Sequence, residues 1–271
     1  MTLPGAEVDT LRVEVDGGIA TLTLDQPARM NPLGLPLQRR MLEMLAALGA
    51  DRSVRVLVLT GAGKAFCVGA DLNTMQAASG DRSLGAATAD VMAEVSNPLI
   101  LALRDFPAPT IAAVNGPAAG AGVGLALACD VVIAARSAYF YLPFMPKLGI
   151  VPDLGATWFV PRLVGRARAT ALSLLGDRLT ADVAMQWGLI WSAVDDAQLA
   201  EVTRQTASRL AALPDGGVQE IRRAFDATES NTLPAQLQYE ADRQRELIDR
   251  DAFAEGVRAF LEKRAPDFRS R

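Results

Sequence analysis

Two strand-to-helix junctions built from small residues constrain this chain more than any other feature. The first, GAGKAFCVGADL, runs from Gly61 to Leu72 after the apolar stretch Val54–Thr60. The second, NGPAAGAGVGLALACD, runs from Asn115 to Asp130 after Thr110–Val114. A strand that feeds a tight turn and then a helix, repeated along a chain, is the pattern of a parallel sheet with covering helices. Small residues in both turns let the backbone come close to a neighbour or a ligand. The first N–H groups of each helix have no partner within it and point outward. Two such turns facing one pocket would form an oxyanion hole, which holds negative charge on a carbonyl oxygen without using a side chain.

The chemistry available to side chains is narrowed by one absence. None of the 271 residues is histidine. Ser-His-Asp and Cys-His nucleophile systems and His-ligated metal sites are therefore excluded. Proton transfer must use Asp, Glu, Lys, Tyr, Cys or the backbone. The two cysteines, Cys67 and Cys129, lie in apolar contexts and are expected to be reduced core residues of a cytoplasmic protein. The net charge of −4 and the lack of basic runs argue against a nucleic-acid partner. No stretch of roughly 18 apolar residues and no charged-then-apolar leader is seen, so neither a membrane span nor a signal peptide is expected.

The hydrophobic pattern lays out the rest. LRVEVD and IATLTL alternate around Gly17-Gly18 and predict a hairpin. Leu35–Ala50 places Leu37, Met41, Met44, Leu45 and Leu48 at helical spacing. Residues 74–90 are weakly patterned and suggest a mobile segment. A helix is expected over Val91–Leu103, stopped by Pro107 and Pro109. VVIAA and AYFYL read as strands. From Ala156 onward helices are expected throughout, apart from an extended LIWSAV, with three or four amphipathic helices between Leu213 and Arg264. The fold class is thus α/β with a trailing helical region, divided at residues 1–200 and 201–271.

Several ordered motifs resemble the crotonase (enoyl-CoA hydratase/isomerase) superfamily over essentially the whole chain. They are QPARMNPL, AFCVGADL, AAVNGPAAGAGVGLALACD, LPFMPKLGIVPDLGATWFVPRLVG, LTADVAMQWGLI and AFLEKRAPDF. The resemblance implies a spiral of β-β-α turns, an acyl-CoA substrate with no separate cofactor and no metal, and homotrimers or dimers of trimers. It places the oxyanion donors at the N–H groups of Ala70 and Ala121, within Gly120-Ala121-Gly122. Family hydratases carry a glutamate where this chain has Gly124, and a second one near Phe144 and Met145. Both carboxylates are absent, so ordinary hydratase activity is expected to be weak or missing.

One carboxylate stands in the right stretch. Asp153, in GIVPDLG, matches the single base of the isomerase branch, which includes Δ3,Δ2-enoyl-CoA and epoxyphenylacetyl-CoA isomerases. The chemistry is coherent, because a thioester α-proton is acidic only when the enolate is stabilised, and each donor is worth roughly 3–4 kcal/mol. Apolar neighbours such as Phe144, Met145, Leu154 and Trp158 would raise the Asp153 pKa by desolvation. The plainer reading of Asp153 is an N-cap for a helix starting at Leu154. Asp71 reads as a cap after the first turn, and Asp130 as structural. Tyr139 and Tyr141 read as strand packing.

The resemblance also implies a path for the carrier past Ala28, Met30, Ala65, Ala70, Asp71 and Leu72, with Gly120 a further substrate-binding residue. Arg29, Lys64 and Lys263 are the cations expected near phosphate. Met75, Met92, Phe144, Met145 and Trp158 are expected around the acyl group. The function that follows is an acyl-CoA isomerase that moves a double bond or opens a ring epoxide. The alternatives are a hydratase-like, decarboxylating or thioester-hydrolysing member, or a silent acyl-CoA binder.

Overall fold

The computed structural model describes residues 10–72 and 83–268. The chain divides into two compact units, Met1–Ala207 and Ser208–Arg271.

The first unit is built on a six-stranded sheet. Strands β1 (Leu11–Asp16) and β2 (Ile19–Leu24) form the expected antiparallel hairpin. Strands β3 (Val56–Gly61), β4 (Thr110–Val114), β6 (Val131–Ala135) and β9 (Ser192–Val194) then add in parallel, in the order β1-β2-β3-β4-β6-β9. All five residues of β4 are buried, as a strand covered on both faces requires. Asp130 locks the β4–β6 edge. Its carboxylate accepts from the Thr110 N–H at 2.7 Å and from the Thr110 hydroxyl at 3.0 Å. That residue is structural, as expected.

A second, small sheet joins β5 (Ala118–Ala119), β7 (Tyr139–Tyr141) and β8 (Leu179–Thr180). The hydropathy pattern gave no sign of β8, because two residues are too short to show a period. Isolated bridges tie Leu33 to Ala70 and Cys67 to Ala118, so the two turns are drawn together by backbone pairing. Both cysteines are buried and free. Burial pushes the Cys67 thiol up to about 12, so it is no nucleophile.

Helix α1 (Leu35–Ala50) has the expected bounds and buries Leu37, Met41, Leu45 and Leu48, together with Gln38. Helix α2 (Leu84–Arg104) starts earlier than the pattern suggested, because Ser83 caps it by accepting from the Ala86 N–H. The rest of the weakly patterned segment, residues 73–82, lies outside the described residues, and with it Met75 and the helix expected after Asp71. Helix α2 contains a π-helical turn at Met92–Ser96, closed by the Asn97 N–H on the Met92 carbonyl. Pro98 is its cause in sequence, since proline cannot donate back into the preceding turn and its ring crowds that turn's carbonyl. By length and composition α2 could cross a bilayer. Its apolar residues are used otherwise: Val95, Leu99, Ile100 and Leu103 are buried in the core.

Helices α3 (Ala121–Leu127), α4 (Ala156–Val164), α5 (Arg166–Leu175), α6 (Ala181–Gln186) and α7 (Leu199–Ala211) complete the sequence, the unit boundary falling within α7. The second unit holds three further helices, α8 (Gly217–Ala227), α9 (Leu233–Ile248) and α10 (Asp251–Leu261). Their apolar side chains are left largely uncovered: Phe225, Leu233, Phe260 and Leu261 are each more than two-thirds exposed.

Candidate functional site

A cavity of about 320 Å³ in the first unit is lined by Leu33, Pro36, Val91 and Met92 on its apolar side and by Ala70, Ala121 and Asp153 on its polar side. The three residues assigned to catalysis from sequence, far apart in the chain, thus line one space.

The first donor is aimed by its own peptide. The Gly69 carbonyl accepts from the Leu33 N–H at 2.8 Å. A trans peptide places its C=O and N–H on opposite sides, so anchoring that carbonyl turns the Ala70 N–H the other way. Gly69 has φ +93°, and a Cβ there would stand 2.9 Å from the Ala119 carbonyl oxygen and 3.3 Å from the Ala121 nitrogen. Only glycine lets the two turns approach this closely. The second donor follows from helix geometry. Gly120, at φ 54° and ψ −126°, donates to Tyr141 and hands over to α3, whose first residue is Ala121. Neither the Ala70 nor the Ala121 N–H has an acceptor among the described residues.

Asp153 enters the same space on a tight turn. Leu154 (φ 48°) and Gly155 (φ 79°) are both left-handed, and α4 begins only at Ala156. The capping reading is therefore corrected. The helix does not start at Leu154, its N-cap is Gly155, and no side chain caps it. The Asp153 main-chain carbonyl, not its carboxyl, accepts from the Ala156 N–H at 2.9 Å. Carboxyl oxygen Oδ1 is buried without a hydrogen-bond partner. Desolvation raises the group to about 6, opposed by a hydrogen bond from its own backbone N–H. A left-handed leucine costs on the order of 1 kcal/mol, and such strain gathers at functional turns.

Gly124, on α3, explains how that turn fits. A Cβ there would land on the Leu154 carbonyl oxygen. The absent side chain is the space the Asp153 turn occupies.

The remaining sequence assignments are distributed as follows. Asp71 lines the cavity and is almost fully buried, and it accepts from the half-exposed Arg29 guanidinium at 2.7 Å. Met92 is in the lining. Ala28 and Leu72 are exposed, and Met30 is half exposed in a left-handed conformation beside the buried, left-handed Asn31. Ala65 is fully buried, its carbonyl holding the side-chain amides of Asn31 and Asn115 at 2.8 and 3.2 Å, so it supports the loop from within. Phe144 is buried against Gly120, behind the donor turn and outside the cavity lining. Met145 is exposed outside the lining, and Trp158 is stacked between Arg104 and Arg162. Lys64 is exposed. Lys263 belongs to the second unit, left-handed just past α10. Among the described residues no three Cys, Asp or Glu side chains converge as a metal-binding group.

Among the lining residues that escaped the sequence reading are the polar Gln38, Thr88 and Ser96. A signal existed for the first, because Gln38 lies on the buried stripe of α1 with Met41, Leu45 and Leu48. A lone polar residue on an apolar stripe needs a partner in the fold.

Comparison with known proteins shows the family. Residues 14–271 match the enoyl-CoA hydratase/isomerase family. The 1,2-epoxyphenylacetyl-CoA isomerase of Escherichia coli K12 is 46% identical over 260 residues, covering 94% of this chain and 96% of that protein. A Rhodobacter capsulatus protein named "probable enoyl-CoA hydratase" is 45% identical, covering 97% of this chain and 98% of its own. The crystal structure of an enoyl-CoA hydratase from Bacillus anthracis superposes with a TM-score of 0.87 at 32% identity, covering 97% of this chain and all of that one. With its parallel sheet, paired glycine-rich turns and helical C-terminal region, the chain belongs to the enoyl-CoA hydratase/isomerase (crotonase) family.

Proposed function

We propose that this protein is an acyl-CoA isomerase that works through a thioester enolate, with Asp153 as its single base. The observation that carries the reading is the desolvated Asp153 carboxyl, its Oδ1 without a partner, in the same cavity as the two free N–H groups of Ala70 and Ala121. The thioester oxygen would sit between those donors. The Asp153 carboxylate takes a proton from C2 of a 3-enoyl thioester. The C2–H bond breaks, a carboxyl O–H forms, and the electron pair spreads to the thioester oxygen and C4. The same carboxyl then returns the proton to C4, leaving the double bond between C2 and C3. A group raised to about 6 is ionised at pH 7 and is a far stronger base than an ordinary aspartate.

The isomerase named among the relatives acts on an epoxyphenylacetyl thioester, and a ring epoxide is the second substrate class we assign here. Hydratase chemistry is disfavoured because Gly124 leaves no room for a carboxylate beside Leu154. Coenzyme A would enter as part of the substrate, past Arg29, Asp71 and Leu72, and no further cofactor is invoked. We assign Phe225, Leu233, Phe260 and Leu261 to subunit contacts of a homotrimer or dimer of trimers, since large exposed apolar groups mark association surfaces. Two free buried thiols suit a reducing, cytoplasmic setting.

The test is proton exchange. The protein is incubated in D2O with a 3-enoyl-CoA, then with a ring-epoxide thioester, and deuterium entry and double-bond position are followed by NMR. Migration that vanishes in Asp153→Asn is the expected result. No exchange on either thioester would sink the isomerase reading and leave a thioester hydrolase or a silent binder.

A further inference from the structure

The cavity is lined mostly by apolar groups, yet it contains one polar pair away from the donors and Asp153. Ser96 donates its hydroxyl to Gln38 Oε1 at 2.6 Å, and Gln38 Nε2 donates to the Leu33 carbonyl at 3.2 Å. Both residues are more than nine-tenths buried and both line the cavity. The amide orientation follows from chemistry, since a carbonyl can only accept, so Nε2 must face Leu33 and Oε1 must face the hydroxyl.

Each group retains capacity. Nε2 carries a second hydrogen with no acceptor among the described residues, and the Ser96 oxygen keeps its lone pairs. A buried pair with one donor and one acceptor unused, in a lining that is otherwise mostly apolar, is matched by an oxygen on the occupant. The helix is also deformed at this point. Ser96 is the last residue of the π-turn of α2, and one inserted residue rotates the face that follows, so the turn decides which side chain meets the cavity. The hydrogen-bond geometry of a π-turn is inferior to that of a regular helix, and such turns recur at functional sites.

We propose that the Gln38–Ser96 pair is the acyl-specificity element of the site, selecting acyl groups that carry an oxygen over isosteric hydrocarbon ones. The ligand oxygen accepts from Gln38 Nε2–H, and a hydroxyl also donates to Ser96 Oγ. A site built to hydrogen-bond an oxygen penalises the analogue lacking it, because its buried polar groups are then left unpaired. The proposal rests on the acyl-CoA reading above and adds the class of acyl group.

The experiment uses two unreactive thioesters of equal size, 2-hydroxyphenylacetyl-CoA and 2-methylphenylacetyl-CoA. Their dissociation constants are measured by calorimetry on the intact protein, wild type and Ser96→Ala. Wild type is expected to prefer the hydroxyl ligand by roughly tenfold or more. Ser96→Ala should lose most of that preference through weaker hydroxyl-ligand binding, with the methyl ligand unchanged. Equal binding of both ligands by wild type, or a preference that persists in Ser96→Ala, overturns the assignment. Parallel weakening of both ligands would show a purely structural role and overturns it too. If neither thioester binds, the acyl-CoA reading itself falls, whereas binding without turnover leaves the specificity element standing without the isomerase. Ser96→Cys, of similar volume and weak hydrogen-bonding power, repeats the test should Ser96→Ala not fold.

Discussion

Two kinds of polar group meet in the cavity: peptide N–H bonds, at Ala70 and Ala121, and one side-chain carboxyl, at Asp153. The donor side is held by the main chain. Leu33 anchors the Gly69 carbonyl, Gly120 donates to Tyr141, and bridges join the loops. In the proposed mechanism that side acts through its main chain. The base side is the reverse. Its backbone is strained through Leu154 and Gly155, and the role we propose for it falls to one titrating group whose raised pKa comes from burial. A site made this way separates charge stabilisation, which needs rigidity, from proton transfer, which needs a tuned pKa.

The largest effect should come from the base. Asp153→Asn is expected to lower kcat for isomerisation by about 10³–10⁴ while thioester binding stays within a few-fold, as stopped-flow turnover and calorimetry would read. Wild-type-like turnover in this variant would break the division outright. The donor side should respond next. Gly69→Ala forces a Cβ against the Ala119 carbonyl in a left-handed backbone, and kcat should fall about 10²–10³ if one donor is misaimed. A circular-dichroism melt separates that loss from simple unfolding.

Gly124→Ala probes the seam between the two sides. The new methyl would displace the Leu154 turn, and we expect kcat to drop by about 10–100-fold with the pKa seen in the rate profile moving, because Asp153 changes its burial. An unchanged rate and profile would mean that the turn tolerates the shift. In wild type, kcat/KM should rise with pH through about 6 and then level, since the ionised carboxylate is the active form.

The smallest effect is on stability, and it has a definite sign. Asp153 binds its proton more tightly folded than unfolded, because its pKa is raised to about 6. Between the unfolded value near 4 and about 6, the folded state therefore holds more protons, and stability falls as pH rises. Asp153→Asn removes this cost. Allowing for solvent screening, the variant should be about 1–2 kcal/mol more stable than wild type at pH 8 and little different at pH 4. Equal denaturation midpoints at both pH values would show that the carboxyl is not desolvated.

Much of this was visible before any coordinates. The hairpin turning at Gly17-Gly18, helix Leu35–Ala50 and strand Thr110–Val114 could be placed from hydrophobic period and turn residues alone. Ala70, Ala121 and Asp153, named from motif order, line one cavity. The misses share a cause. β8 is two residues long, the π-turn answers to Pro98 and to packing, and Phe144, Met145 and Trp158 are not in the lining of the cavity that holds Asp153. Gln38 and Ser96 are 58 positions apart, and nothing local announces that one will hold the other.

The sequence by itself determined which chemistry is possible. The absence of histidine, the small residues at two helix starts and the one carboxylate in the right stretch narrow the side chains open to proton transfer and lead to the enolate chemistry proposed above. The tertiary structure alone decided that Asp153 does not cap a helix from Leu154 and that its carboxyl stands in the cavity, the setting the proposed base role needs. It did so by ending the turn at Gly155, filling the space beside Gly124, and burying one carboxyl oxygen without a partner. The reason is physical: period and turn residues act over neighbouring positions, whereas desolvation depends on groups that only folding brings together.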